Sequence, residues 1–153
     1  MSRKTPVPAP GEGKRGPEGH LGYLLRQANA AVRAALDAAL AEAGLTTPQF
    51  SVLTMIVAYP GISGAELARL TFLTPQTINV IVRNLQRAGA IAKSADPAHG
   101  RILRLEATVR GKTLLRRCRT RVHAVEARLA ASLGSADERA VRRWLAGVAA
   151  TLA

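Results

Sequence analysis

Several residue types are scarce in this chain of 153 residues, and each scarcity excludes a class of protein. The single cysteine, Cys118, rules out an intrachain disulfide and any metal site built from several thiolates. The three histidines, His20, His99 and His123, lie too far apart to resemble a ligand set. No apolar run approaches the ~18 residues of a membrane-spanning helix. We therefore expect no metal, no cofactor and no membrane partner.

Aromatic residues make up only 3% of the chain, and motifs that carry catalysis are missing. The sequence holds no nucleophile–base motif and no phosphate-binding loop, so we do not expect an enzyme. Proteins that bind RNA usually stack bases on exposed aromatic side chains, and this composition disfavours that mode. Arg3 and Lys4 are not followed by an apolar run, so no signal peptide is expected and a cytoplasmic location follows by default.

Acidic residues are also scarce, and the resulting excess of positive charge is concentrated in one part of the chain. Lys and Arg total 22 against 10 Asp and Glu, which gives a net charge of +12. Between Pro60 and Arg121 there are 12 basic and 3 acidic residues, so 12 − 3 = +9 of that charge falls in this stretch. Such clustering favours a polyanionic partner over the alternative, a basic surface that is merely solvated.

What is abundant predicts helices. Hydrophobic residues make up 48% of the chain, and many of them are alanine, the best helix former. Residues 1–18 are rich in proline, glycine and basic residues, which predicts a disordered tail whose cations, such as Arg3 and Lys4, touch DNA phosphates at most non-specifically. We expect residues 19–153 to form one domain, with long helices at about 20–43 and 109–152 on either side of a smaller unit at about 46–108.

Helix start signals divide that smaller unit. Thr47 suits an N-cap because Pro48 follows it, and Ser63 and Glu66 form a capping box. Thr74 and Pro75 open a helix that we predict to run to Ala88. In that helix four apolar residues recur at helical spacing, namely Ile78, Ile81, Val82 and Leu85, and polar residues fall on the opposite side.

Alternating patterns then predict a β-hairpin, with strands at Ile91–Ser94 and Arg101–Ala107 and a weak extra strand before Ser63. The fold class is mostly α with a small hairpin wing (α+β), the plan of a winged helix-turn-helix. Its second helix fits the major groove of DNA, and a wing arginine fits the narrow minor groove. The candidate DNA-contacting residues are Ser63, Thr74, Gln76, Thr77, Asn79, Val80, Arg83, Asn84, Arg87, Lys93, Asp96, His99 and Arg101.

Five segments, at residues 47–53, 64–70, 74–85, 89–91 and 96–101, followed by Leu103, Leu105, Thr108 and Gly111, resemble the MarR family of bacterial regulators (multiple antibiotic resistance regulators). The resemblance covers about residues 20–153. It implies a homodimer, held by the first and last two helices, that represses transcription at a pseudo-palindromic operator and is released by a small effector. It also implies that Arg101 contacts the minor groove and that Asp96 orients it.

Further residues follow from the same resemblance. The dimer interface is expected to include Leu133, Trp144 and Leu145. An effector cavity is expected near Tyr23, Phe50 and His123, although such residues are more often ordinary packing residues. Cys118 is expected to be a structural thiol, with a redox sensor as the alternative.

One departure from the family bears on the DNA sequence that is read. Many members carry an arginine where this chain has Val80, and valine packs on a thymine methyl instead of binding guanine. Gln76 is suited to adenine, so we expect A·T-rich half-site cores. The alternatives left open are an architectural nucleic-acid-binding protein, an RNA-binding winged helix and a ligand-sensing dimer that has lost DNA contact.

Overall fold

The fold was analysed in a computed structural model, which describes residues 6–152. Arg3 and Lys4 of the tail lie outside the described residues. The predicted order of four helices, a hairpin and two helices is confirmed, and no helix in residues 6–152 is long and apolar enough to span a bilayer. The elements are α1 (Leu21–Ala41), α2 (Thr47–Ala58), α3 (Gly64–Thr71), α4 (Pro75–Arg87), β1 (Ile91–Ala95), β2 (Leu103–Ala107), α5 (Val109–Ala130) and α6 (Ser135–Leu152), after a short 3₁₀ turn at Gly13–Arg15.

Side-chain caps fix where four of the helices begin, and the cap of α5 is the predicted Thr108. Ser63 and Glu66 form the predicted capping box at α3, and Thr74 caps α4 by accepting the N–H of Thr77 at 3.1 Å. The predicted N-cap of α2 is wrong by one residue. Thr46 is the cap, because Gln49, three residues later, closes a capping box with it, while the hydroxyl of Thr47 donates to Asp37 at 2.6 Å.

The hairpin is antiparallel, with Ile91 opposite Ala107 and Ala95 opposite Leu103. The return strand begins at Leu103 and not at Arg101 as predicted, so Arg101 belongs to the connecting loop. In place of the weak extra strand predicted before Ser63, the structure has an isolated bridge between Ile62 and Leu105, beside a sheet of two strands in residues 6–152. The wing is therefore anchored along β2 to the segment that enters α3.

The chain divides into two compact units at residues 35 and 36. The second unit contains the winged helix, and its core gathers apolar side chains from the end of α1, from α2 to α5 and from the hairpin. Gly111 of α5 lies against the backbone of Ala90, the residue before β1, since a Cβ there would clash with the Ala90 carbonyl oxygen. The absence of a side chain at residue 111 thus lets α5 pack at the base of the wing.

The first unit holds the chain before α1 and most of α1 itself. The guanidinium of Arg15 donates to the side-chain oxygen of Gln27 at 3.2 Å and to the carbonyl of Pro8 at 3.1 Å. The amide of Gln27 donates back to the carbonyl of Arg15 at 3.0 Å. The disorder predicted for residues 1–18 and the domain boundaries remain predictions.

Candidate nucleic-acid interface

Helix α4 separates its apolar and polar residues sharply. Ile78, Ile81, Val82 and Leu85 are all buried, as the sequence pattern predicts. The opposite face is open to solvent, and Val80 is 47% exposed within it. All the candidate contacts on this helix are exposed, namely Thr74, Gln76, Thr77, Asn79, Val80, Arg83, Asn84 and Arg87. A face with amide, hydroxyl and guanidinium groups and one apolar side chain has the chemistry needed to read base edges in a major groove.

A groove of about 340 Å³ joins three elements that the sequence places far apart. It is lined by Ser63 at the start of α3, Asn79 of α4, and Lys93 and Arg101 of the wing. The fold therefore brings four of the candidate DNA-contacting residues together. Two cations and two neutral polar groups in one concave surface suit the phosphate backbone and groove edges of a duplex.

The hydroxyl of Ser63 is already engaged by its own helix. It donates to Oε2 of Glu66 at 2.6 Å and accepts the Glu66 N–H at 3.3 Å. The backbone N–H of Ser63 donates to the same Oε2 at 2.8 Å, and the hydroxyl and N–H of Ser63 together hold the pKa of the Glu66 carboxyl below its usual range. Ser63 is half-buried, so its part in the interface is to fix the start of α3 as well as to line the groove.

The loop of the wing corrects one prediction. Asp96 was expected to orient Arg101, but its carboxylate pairs with Arg104, whose Nε donates to Oδ2 at 2.6 Å. The other oxygen, Oδ1, accepts the N–H groups of Ala98 at 2.7 Å and His99 at 3.0 Å. The hairpin register explains why Asp96 pairs with Arg104 and not with Arg101. Arg104, on β2, stands opposite Ser94 of β1, while Arg101 lies in the loop beyond the last strand pair.

Those contacts leave the two predicted wing side chains in different situations. Arg101 is exposed and, among residues 6–152, makes no hydrogen bond or ion pair. His99 is exposed as well, and its Nδ1 lies 2.5 Å from the carbonyl oxygen of Ala98. Asp96 is only 7% exposed and accepts hydrogen bonds from two loop N–H groups, so it supports the loop from inside. The loop thus presents Arg101 as a free cation.

Sequence reasoning assigned no individual role to two residues of the winged helix, Arg104 and Phe72. Arg104 was counted only as part of the positive charge, although its place on β2, eight residues after Asp96, could have indicated a cross-hairpin pair. Phe72 closes α3 in the left-handed region, with φ 56°, and is 91% exposed beside the start of α4. No periodic pattern singles out an exposed aromatic residue in a turn.

The candidate effector residues are less closely defined. The hydroxyl of Tyr23, in the first unit, donates to Gln27 at 3.3 Å. In the second unit Phe50 is packed against the core and His123 is exposed. Neither lines the groove between α4 and the wing, nor the cavity of about 370 Å³ beside α3. Within residues 6–152 no three potential metal-ligating side chains lie together.

Comparisons with known proteins place this surface in context. The sequence model of the MarR family matches residues 43–102, which include α2 to α4 and most of the wing. The HTH-type transcriptional repressor Rv2887 of Mycobacterium tuberculosis is 42% identical over 125 residues, which cover 82% of this chain and 90% of the repressor.

Solved structures of related regulators also match this fold. The fold matches Rv2887 in complex with DNA with a TM-score of 0.70 and 38% identity, covering 86% of this chain and 98% of that one. It also matches CouR of Rhodococcus jostii, solved with p-coumaroyl-CoA, with a TM-score of 0.79 and 26% identity, covering 86% and 92%.

Proposed function

The chain belongs to the MarR family of transcriptional regulators, and we propose that it is a sequence-specific repressor that binds double-stranded DNA as a homodimer. One observation carries the proposal: Asn79, on the exposed side of α4, and the free cation Arg101 line the same groove. A duplex that places α4 in its major groove brings the adjacent minor groove towards the wing. Family members regulate transcription, and we expect no catalytic activity from this chain.

Base reading is assigned to α4. Gln76 would bind adenine through two hydrogen bonds, and Val80 would pack on a thymine methyl. Arg83 and Arg87 would neutralise phosphates on either side, together with Lys93 of the wing. The proposed operator accordingly has A·T-rich cores in its two half-sites.

The proposed dimer rests on apolar surface that one chain leaves uncovered. Within Ser135–Leu152 no side chain is buried, and even the large apolar residues Trp144 and Leu145 are 43% and 46% exposed. Leu133, just before α6, is half-buried. A two-fold dimer formed through the terminal helices would place two copies of α4 about 34 Å apart, one turn of DNA.

Release by a small effector completes the proposal. Rv2887 has been solved with p-aminosalicylic acid and CouR with p-coumaroyl-CoA, so relatives with this fold bind both DNA and aromatic acids or their thioesters. An effector that binds better to a dimer with altered wing spacing would lower DNA affinity by shifting the population. Tyr23, Phe50 and His123 remain the candidate residues for that site, and a repressor of bacterial DNA would work in the cytoplasm.

The first test is selection from random duplexes, followed by binding of the selected duplex over a range of salt concentrations. We expect A·T enrichment at the contacted positions and a linear fall of log affinity with log salt. Arg101→Ala should weaken binding about tenfold or more, because a cation in the minor groove is lost.

Arg139→Ala is the matched control. It removes the same charge from an exposed position on α6, outside the winged helix, and should leave affinity within about twofold. Enrichment of G·C at the contacted positions would overturn the base assignment. Equal losses in the two variants would remove the wing from the proposal.

A further inference from the structure

Arg104 connects three parts of the winged helix: strand β2, the loop of the wing and the turn before α3. It lies on β2, its Nε and Nη2 hold the Asp96 carboxylate at 2.6 and 2.5 Å, and its Nη1 donates to the carbonyl of Gly61 at 3.1 Å. Asp96 begins the loop of the wing, and Gly61 lies in the turn between α2 and α3. A single guanidinium therefore links the wing loop to the entrance of the helix-turn-helix.

On the wing side, the pair sets the shape of the loop that carries Arg101. Asp96 uses Oδ1 to accept two loop N–H groups and Oδ2 to accept Arg104. The Asp96 N–H also donates to the carbonyl of Ile102 at 2.8 Å, which closes the loop around Arg101. Because Arg101 has no partner of its own in the described chain, its direction depends on this loop.

On the other side, the same guanidinium reaches the segment that positions α3. The Gly61 N–H donates to the carbonyl of Leu105 at 3.0 Å, and the Leu105 N–H donates to the carbonyl of Ile62 at 3.1 Å. Backbone hydrogen bonds therefore already hold this turn beside β2. Ser63 caps α3 immediately afterwards. Arg104 adds to these backbone contacts the one link that continues into the loop of the wing.

We propose that Arg104 is a positioning residue for DNA binding, which holds the wing loop at a fixed angle to the helix-turn-helix so that Arg101 and α4 engage adjacent grooves together. The inference rests on the proposed function. The side chain of Arg104 is 39% exposed and that of Asp96 only 7%, but two loop N–H groups still donate to the Asp96 carboxylate when Arg104 is replaced, so we expect only a small loss of folding stability. Its effect is on binding, because a loop that is ordered before contact loses less entropy when it docks.

A double-mutant cycle tests the inference on the duplex selected above. Affinities are measured for the wild type, Arg101→Ala, Arg104→Gln and the double variant at one salt concentration. We expect Arg104→Gln to weaken binding about five- to tenfold. We expect Arg101→Ala to cost little more, about twofold at most, once Arg104 is replaced, since the cation has already lost its direction.

Three further variants separate positioning from loss of charge or of stability. Asp96→Asn keeps an oxygen for the loop N–H groups but weakens the hold on Arg104, and it should show the same coupling to Arg101. Arg104→Lys keeps the charge but cannot bridge Asp96 and Gly61 together, so it should restore only part of the affinity. Arg121→Gln removes a similarly exposed guanidinium, paired with Glu42, and should show no coupling.

Hydroxyl-radical footprints and thermal unfolding complete the test. Arg104→Gln should lose protection at the minor grooves that flank the sites of α4, while its unfolding midpoint stays within about 2 °C of the wild type. Additive losses in the cycle, or wild-type affinity in Arg104→Gln, would overturn the inference while leaving the proposed function intact. A wild-type protein that selects no duplex would overturn both.

Discussion

Helices α4 and α6 both carry an apolar stripe, and the two stripes end up in different environments. The stripe of α4 is buried within one chain, with Ile78 and Leu85 each 1% exposed. The apolar residues of α6, such as Val141, Trp144 and Leu145, are between 38% and 46% exposed. Burial of apolar surface stabilises by roughly 25 cal/mol per Å². The winged helix gains that stabilisation from its own chain, whereas the apolar residues of α6 stay open to solvent and are the surface that the proposed dimer would cover.

The largest expected effect lies on the side of α4. Ile78→Ala should lower the free energy of unfolding by about 2–5 kcal/mol, because it leaves a cavity beneath α4. Urea unfolding followed by circular dichroism measures the loss, and two protein concentrations separate chain stability from any dimer contribution. A loss under about 1 kcal/mol would mean that α4 is not held by its own core.

A smaller effect, on assembly and not on folding, is expected on the side of α6. Trp144→Ala should weaken self-association by about 2 kcal/mol, roughly thirtyfold in the dissociation constant, as for an aromatic residue at an interface centre. Sedimentation equilibrium measures it. Arg139→Ala, on the same helix, is the control and should leave association unchanged. A wild-type protein that sediments as a single chain would contradict the proposed dimer.

The same contrast shows which parts of the fold can be read from sequence. The stripe of α4 was predicted residue by residue because helical periodicity and burial within one chain are local consequences of the same pattern. The N-cap of α2 was misplaced, although Thr46 and Gln49 have the spacing of a capping box. Two adjacent threonines differ little in propensity, and the choice depended on Asp37, ten residues before Thr47, which engages the second one.

The wing was harder to predict because its contacts depend on strand register. The residues from Asp96 to Ile102 give no signal that fixes how many of them form the loop, so the predicted second strand begins two residues too early, at Arg101 instead of Leu103. That difference decides whether Arg101 or Arg104 stands near Asp96. Exposed side chains such as Phe72 have no pattern at all, since no packing constraint acts on them.

The last prediction concerns Cys118, which lies on the face of α5 that packs into the core of the winged helix and is fully buried. Burial raises the pKa of the Cys118 thiol above its ordinary value of 9.0, more strongly than Arg117 and Arg121 lower it. The folded state therefore favours the neutral thiol. Below pH 9.0 the thiol is neutral in both states and does not lower the free energy of unfolding. As the pH rises past 9.0 towards the folded pKa, the free energy of unfolding declines, because the thiol ionises in the unfolded chain first.

At neutral pH iodoacetamide should label native Cys118 at least about a hundredfold more slowly than the unfolded chain, since the thiolate is disfavoured and covered. Trp144→Ala should label equally slowly, because the cover over Cys118 comes from its own chain even when the partner has dissociated. Ile78→Ala should label faster, in proportion to its lost stability. Rapid labelling of Trp144→Ala would mean that the second copy completes the core around α5. The winged helix would then depend on the partner for its burial, as α6 is proposed to do, and the contrast between α4 and α6 would fail.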